Sequence, residues 1–231
     1  MRVFVTGSTG AIGGYAVPAL IAAGHQVTAL ARSDAKAEAL RRQGATPVHV
    51  SLFDRDGLTA AFRGHQAVVN LASSLPSPGR FMLKSAWKDC HRIRIEGSAN
   101  VVDAALAAAV PRVLQESVAM IYRDGGNRWI GEDWPVDHYP ISVGNHGAEA
   151  NARRLGESGG DAVILRFGMF YGRGADHSEI SRPQTAGAQS VGQEHLQNQE
   201  RYSERRRRLA ELDRYYDCCG GDNGRQTERA S

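Results

Sequence analysis

Gly7, Gly10 and Gly13, each three residues apart in "VFVTGSTGAIGG" (residues 3–14), close the first apolar run of the chain. Glycine lets a chain leave a strand sharply, and a helix start beyond such a turn presents free amides to an anion. Gly7 suits the turn, Gly10 the close approach of a pyrophosphate, and Gly13 the packing of a helix on the strand. Thr9, Ala11 and Ile12 complete a loop shaped for a dinucleotide. The spacing is G-x-x-G-x-x-G rather than G-x-G-x-x-G, so its meaning depends on a strand before it and a helix and strand after it. A second group bears on which dinucleotide is held. Where an acidic residue would accept the ribose hydroxyls of NAD, "LARSDAK" offers Arg32, Ser33 and Lys36. Cations there suit a 2′-phosphate, so NADP is expected, with NAD the alternative and solvated helix-start charges the competing explanation for Arg32 and Lys36.

The elements that would position these groups follow from periodicity. Residues 2–6 read as a strand, 11–23 as a helix ended by Gly24, and 26–31 as a second strand, which is one βαβ unit. The alternation continues with helix 34–43, strand 46–50, helix 56–62, strand 67–72, a long helix to about residue 109, strand 112–117, helix 144–157 and a strand from residue 161. Six strands rich in Val, Ile and Leu, alternating with helices, predict an α/β fold with a doubly wound parallel sheet, the Rossmann architecture.

Composition narrows the function classes. At 231 residues and 42% hydrophobic the chain can bury one good core. Net charge is +3 and lysine occurs only at Lys36, Lys84 and Lys88, which argues against a nucleic-acid partner. No run approaches the roughly 20 apolar residues of a membrane span, and the sequence enters strand residues at once without a basic n-region or cleavage site, so a cytoplasmic location without membrane contact is expected. Cys90 stands alone and Cys218–Cys219 have no partner cluster at zinc spacing, so neither a disulfide framework nor a metal site is expected.

"VTGSTGAIGG", "GHQVTALARS", "VVNLASS", "GSANVVDAALAAAVPRVLQES" and "LRFGMFYGRG" together resemble the NAD(P)-dependent epimerase/dehydratase family, the extended or atypical short-chain dehydrogenase/reductases. The resemblance covers about residues 1–178. It implies an NAD(P)-dependent oxidoreductase or epimerase acting on a small carbonyl or hydroxyl compound, sugar nucleotides included. It places Asp54 near the adenine, although a helix cap explains Asp54 equally well. It also sets Leu71, Ala72 and Ser73 beside the diphosphate and ribose. The helix 100–110 often takes part in dimers of this family, so a homodimer is compatible with the sequence.

The family's acid/base apparatus is a Tyr with a Lys four residues later and a Ser or Thr that holds the substrate oxygen. Aligning "QESVAMIY" with the family's "SSxxVYG" puts Val118 at the Ser/Thr position and Ser117 one place earlier. On the following helix Ile141 and Asn145 take the Tyr and Lys positions, and no Y-x-x-x-K occurs in the chain. Ser117 and Tyr122 are the catalytic candidates, with His138, Tyr139, Asn145 and His146 as further donors in reach. Their ordinary alternative is a place in a loop or core. Trp129 and Trp134 suit a pocket wall or a loop anchor. The alternative to an enzyme is a non-catalytic dinucleotide-binding or sensor protein, or an inactive truncated relative.

From Ser181 to Ser231 the residues among Val, Ile, Leu, Met, Phe and Trp are Val191, Leu196, Leu209 and Leu212. Such a segment cannot build a core. Two regions are therefore expected: a dinucleotide-binding domain over 1–178, and a disordered or aberrant polar tail over 179–231. The substrate lobe is missing on this reading, through truncation or a shifted frame, or else the tail is genuinely regulatory. Arg205–Arg208 are read as a solvated face.

Overall fold

The computed structural model describes residues 1–168 apart from Met82. The expected tail, 179–231, lies outside the described residues. Six parallel strands, β1 (Arg2–Thr6), β2 (Gln26–Leu30), β3 (Thr46–Val48), β4 (Ala67–Asn70), β5 (Arg112–Val118) and β6 (Asp161–Phe167), form one sheet in the order β3-β2-β1-β4-β5-β6. The reversal of direction at β1 is the switch point of a doubly wound sheet, beside which ligands bind at the carboxyl ends of the strands. The Rossmann class expected from the sequence is the one observed.

Strand alternation divides the core into two layers. Val3 and Val5 face one way with Val27, Ala29 and Val69, under α1 (Gly13–Ala22) and α2 (Asp34–Arg42). Phe4 faces the other way with Val68 and Val113, under α3 (Arg55–Phe62), α5 (Ser98–Ala107) and α6 (Val143–Glu157). Phe4 meets Phe62 edge to face at 4.7 Å. Each such fully buried side chain contributes about 1.5–3 kcal/mol.

Boundaries differ from the sequence reading where local chemistry intervenes. The first helix begins at Gly13, which leaves Ala11 and Ile12 in the loop, and β4 ends at Asn70, which leaves Leu71 and Ala72 beyond the strand. The long helix is broken in character: α4 (Lys88–Arg92) passes through a π turn, Ile93–Gly97, into α5. Arg94 and Gly97 of that turn are buried, with Arg94 paired to Glu116 at 2.7 Å and Gly97 held close against Leu52. Burial pushes the Glu116 carboxyl up in pKa, against the pull of Arg94. Ala109 ends the helix with φ 53°, a left-handed turn without glycine.

Candidate cofactor and active site

The loop leaving β1 is built by its glycines in three different ways. Gly7 has φ 63°, and a Cβ there would run into the Leu71 carbonyl, so the first turn lies directly against the chain leaving β4. A Cβ on Gly13 would collide with the Gly7 carbonyl and the Ser8 backbone, so the start of α1 is seated on the loop itself. Gly10 differs from both. It is exposed, its amide donates to Gly7 O at 3.0 Å, and a Cβ would meet only that oxygen, at 3.3 Å. The open side of Gly10 faces away from the fold. At the start of α1 Gly14 N donates to Gly10 O at 2.9 Å, and Tyr15 N and Ala16 N donate to Ile12 O at 3.0 and 2.9 Å; the positive end of the helix dipole there suits a diphosphate.

Two polar ties fix this loop, and neither was evident from the sequence. Ser8, 1% exposed, donates from Oγ to Leu30 O at 2.7 Å, which joins the loop to the end of β2. Thr6 Oγ1 donates to Asn70 Oδ1 at 2.5 Å, and Asn70 Nδ2 donates to Gln115 Oε1 at 2.7 Å. This buried row runs from the last residues of β1 and β4 to the middle of β5. Asn70 Oδ1 also accepts from Ala72 N at 3.4 Å and so holds the Leu71–Ser73 segment beside Gly7. Leu71 is buried, Ala72 half-buried and Ser73 exposed.

Arg32 and Lys36 are exposed on either side of Ser33, the cap of α2, whose Oγ accepts from Lys36 N at 3.4 Å. Asp54 caps α3: its Oδ1 accepts from Gly57 N at 2.9 Å. Of its two readings, the cap is the one with a visible partner. Thr9, Ala11 and Ile12 border Gly10 in the loop.

The catalytic candidates sit in a different network. Ser117, 0% exposed, donates from Oγ to Glu149 Oε1 at 2.7 Å. Glu149 also receives Arg166 through Nε at 2.8 Å and Nη2 at 2.7 Å, and Arg153 at 2.9 Å. Burial raises the Glu149 carboxyl, but the hydrogen bonds from Arg166 and Ser117 and the two positive charges outweigh it, and the net direction is down. Arg166 lies over the Tyr122 ring at 4.7 Å, and the Tyr122 hydroxyl donates to Glu132 O at 3.3 Å. Ser117 and Tyr122 are thus joined through one ion network that ties β5, β6 and α6 to the loop at 119–142. Trp134 anchors that loop, donating from Nε1 to Arg123 O at 3.0 Å, and Trp129 lies on it exposed. Tyr139 donates to Met120 O at 3.0 Å, and its phenol is raised in pKa by burial and by Asp137. His138 and His146 stack on each other at 3.9 Å. Asn145 is 2% exposed.

A glycine cradle at the switch point, followed by a helix start and flanked by the segment leaving β4, is the arrangement of a nucleotide site. A family model described as NAD(P)H-binding matches residues 7–195. The chain belongs to this NAD(P)H-binding family. Among curated relatives, an L-arabinose 1-dehydrogenase (NAD(P)(+)) of Haloferax volcanii is 35% identical over 122 residues, covering 53% of this chain and 42% of that protein. A 3-diazoavenalumate denitrifying reductase of a Streptomyces species is 31% identical over 187 residues, 77% of this chain and 59% of its own. Among solved structures, a UDP-glucose 4-epimerase of Thermus thermophilus in complex with NAD superposes with TM-score 0.65 at 26% identity, covering 78% of this chain and 61% of that one. The chain spans about half the length of the curated relatives it matches. Among the described residues no helix is long and apolar enough to cross a membrane.

Proposed function

We propose that residues 1–178 are the dinucleotide-binding domain of an NADP-preferring oxidoreductase or epimerase-type enzyme whose substrate is a small carbonyl or hydroxyl compound. The observation that carries this reading is Gly10, the loop glycine whose missing side chain leaves space outside the fold rather than inside it. Gly7, Thr9, Gly10, Ala11, Ile12 and Gly13 would hold the diphosphate, with Leu71, Ala72 and Ser73 beside the diphosphate and ribose. Arg32 and Lys36 would meet the 2′-phosphate, since both are exposed and the α2 start between them favours an anion. The relatives' names, a sugar dehydrogenase and a nucleotide-sugar epimerase, support a polyhydroxylated substrate. When bound, the dinucleotide supplies or accepts the hydride. Ser117 would act here as a positioning residue through Glu149, and Tyr122 as the loop's contact with Arg166. Exposed Ile95 and Leu106 favour a homodimer, and the unpaired buried Cys90 suits a cytoplasmic setting.

A second reading, a non-catalytic dinucleotide binder, is favoured by the engagement of Ser117 with Glu149. Cofactor fluorescence separates the two. NADPH emission should change on binding and then decay in the presence of L-arabinose-derived lactones or UDP-4-keto sugars. Binding without turnover over such a panel supports the second reading, and the absence of binding contradicts both.

A further inference from the structure

The chain lacks a Tyr–Lys pair, yet an imidazole comes to the place where that pair is missing. α6 leads from β5 to the parallel strand β6, so it runs back along the sheet and its first turn lies at the carboxyl ends of the strands. Facing that turn from α4, His91 has Nε2 at 3.4 Å from the Ile141 carbonyl oxygen. A carbonyl only accepts, so Nε2 carries the proton in the neutral ring and Nδ1 carries the lone pair. His91 is half-buried, and its Nδ1 is neither hydrogen-bonded nor sealed off among the described residues. The ring is held between Trp87, at 6.2 Å between centroids, and Gly144, where a Cβ would come within 3.2 Å of His91 Cδ2.

Two further observations point to the same place. Asn145, in that first turn, is 2% exposed with Nδ2 unpartnered among the described residues, a costly state unless something else accepts from it. Cys90, the neighbour of His91, lies 3.9 Å from the Ser73 hydroxyl, so α4 packs against the segment leaving β4. His91 and Asn145 therefore flank the carboxyl ends of β4 and β5.

We infer that His91 is the proton-transferring group of this site, with Asn145 Nδ2 donating to an oxygen of the bound ligand. The inference rests on the oxidoreductase reading above. In carbonyl reduction the dihydronicotinamide hydride adds to the carbonyl carbon while the carbonyl π pair takes a proton from the His91 imidazolium. The products are the alcohol, the oxidised dinucleotide and neutral imidazole, which regains its proton from water. In the reverse direction neutral Nδ1 takes the hydroxyl proton as the hydride leaves.

Diethyl pyrocarbonate acylates accessible, unprotonated imidazole nitrogen, and peptide mass mapping of the full chain locates the adduct. His91 should react in the free protein, and saturating NADPH should slow that reaction at least about tenfold, while 2′,5′-ADP, which lacks the nicotinamide half, should leave it unchanged. Asn145→Asp should weaken NADPH about tenfold and 2′,5′-ADP not at all, a loss on the scale of one hydrogen bond. An unreactive or unprotected His91 in a protein that binds NADPH would overturn the assignment and leave the cofactor reading intact. A chain that binds neither nucleotide would overturn that reading, and the assignment with it.

Discussion

Ser117 and Glu149, 32 residues apart, are joined by a 2.7 Å hydrogen bond that fastens β5 to α6 from within the core. The serine hydroxyl donates to a carboxylate already paired with Arg166. A residue type that suits catalysis serves here to hold together the elements around the site.

This relationship has a measurable cost. Ser117→Ala should destabilise the protein by about 1.5–3 kcal/mol, the range for hydrogen bonds to charged groups, and Glu149→Gln by about 3–5 kcal/mol, because Arg166 loses its carboxylate partner. Urea unfolding at neutral pH measures both. An unchanged midpoint for Ser117→Ala would mean that its hydroxyl is free for another task.

The depressed pKa of Glu149 gives a pH dependence of definite sign. A carboxyl held lower in the folded than in the unfolded chain supplies stability that is complete above the ordinary carboxylate range and disappears as pH falls through the depressed value. The stability lost on acidification should therefore be smaller in Glu149→Gln than in the parent. Parallel acid titrations of stability for the two proteins test this.

Ala109 offers a gain rather than a loss. Its φ of 53° is a left-handed conformation that disfavours a β-carbon, so Ala109→Gly should stabilise the chain by about 1 kcal/mol. That corresponds to a rise of about 2–4 °C in Tm for a protein of this size. A lower Tm would show that the helix end relaxes without strain.

Cofactor choice is tested at Arg32. If its guanidinium meets the 2′-phosphate, Arg32→Asp should weaken NADPH by about 1.5–3 kcal/mol and NADH far less. Equal losses for the two dinucleotides would leave Arg32 a surface charge.

The sheet was legible because its determinants are local: apolar runs of strand length, glycines after them, and small residues at the loop. The Gly7 and Gly13 contacts agree with the roles that spacing suggested, since a turn and a close packing leave their mark in sequence. What could not be read depends on partners distant in the chain. The hydrogen bond of Ser117 is one such case, because nothing near it in sequence reveals that Ser117 and Arg166 converge on Glu149. The cap that Asp54 makes depends on where Gly57 N lies. His91 passed unnoticed because its partner, Ile141 O, is a backbone atom 50 residues away. The Thr6–Asn70–Gln115 row is likewise assembled by strand register alone.

The most direct test of the dinucleotide site is a fluorescence titration of NADPH into the parent chain and Gly10→Val, each checked by thermal melting. A side chain at Gly10 meets only the Gly7 carbonyl within the fold, so Tm should stay within a few degrees while NADPH binding is lost. Full NADPH affinity in a folded Gly10→Val protein would contradict the account, because the diphosphate would then not lie on this loop.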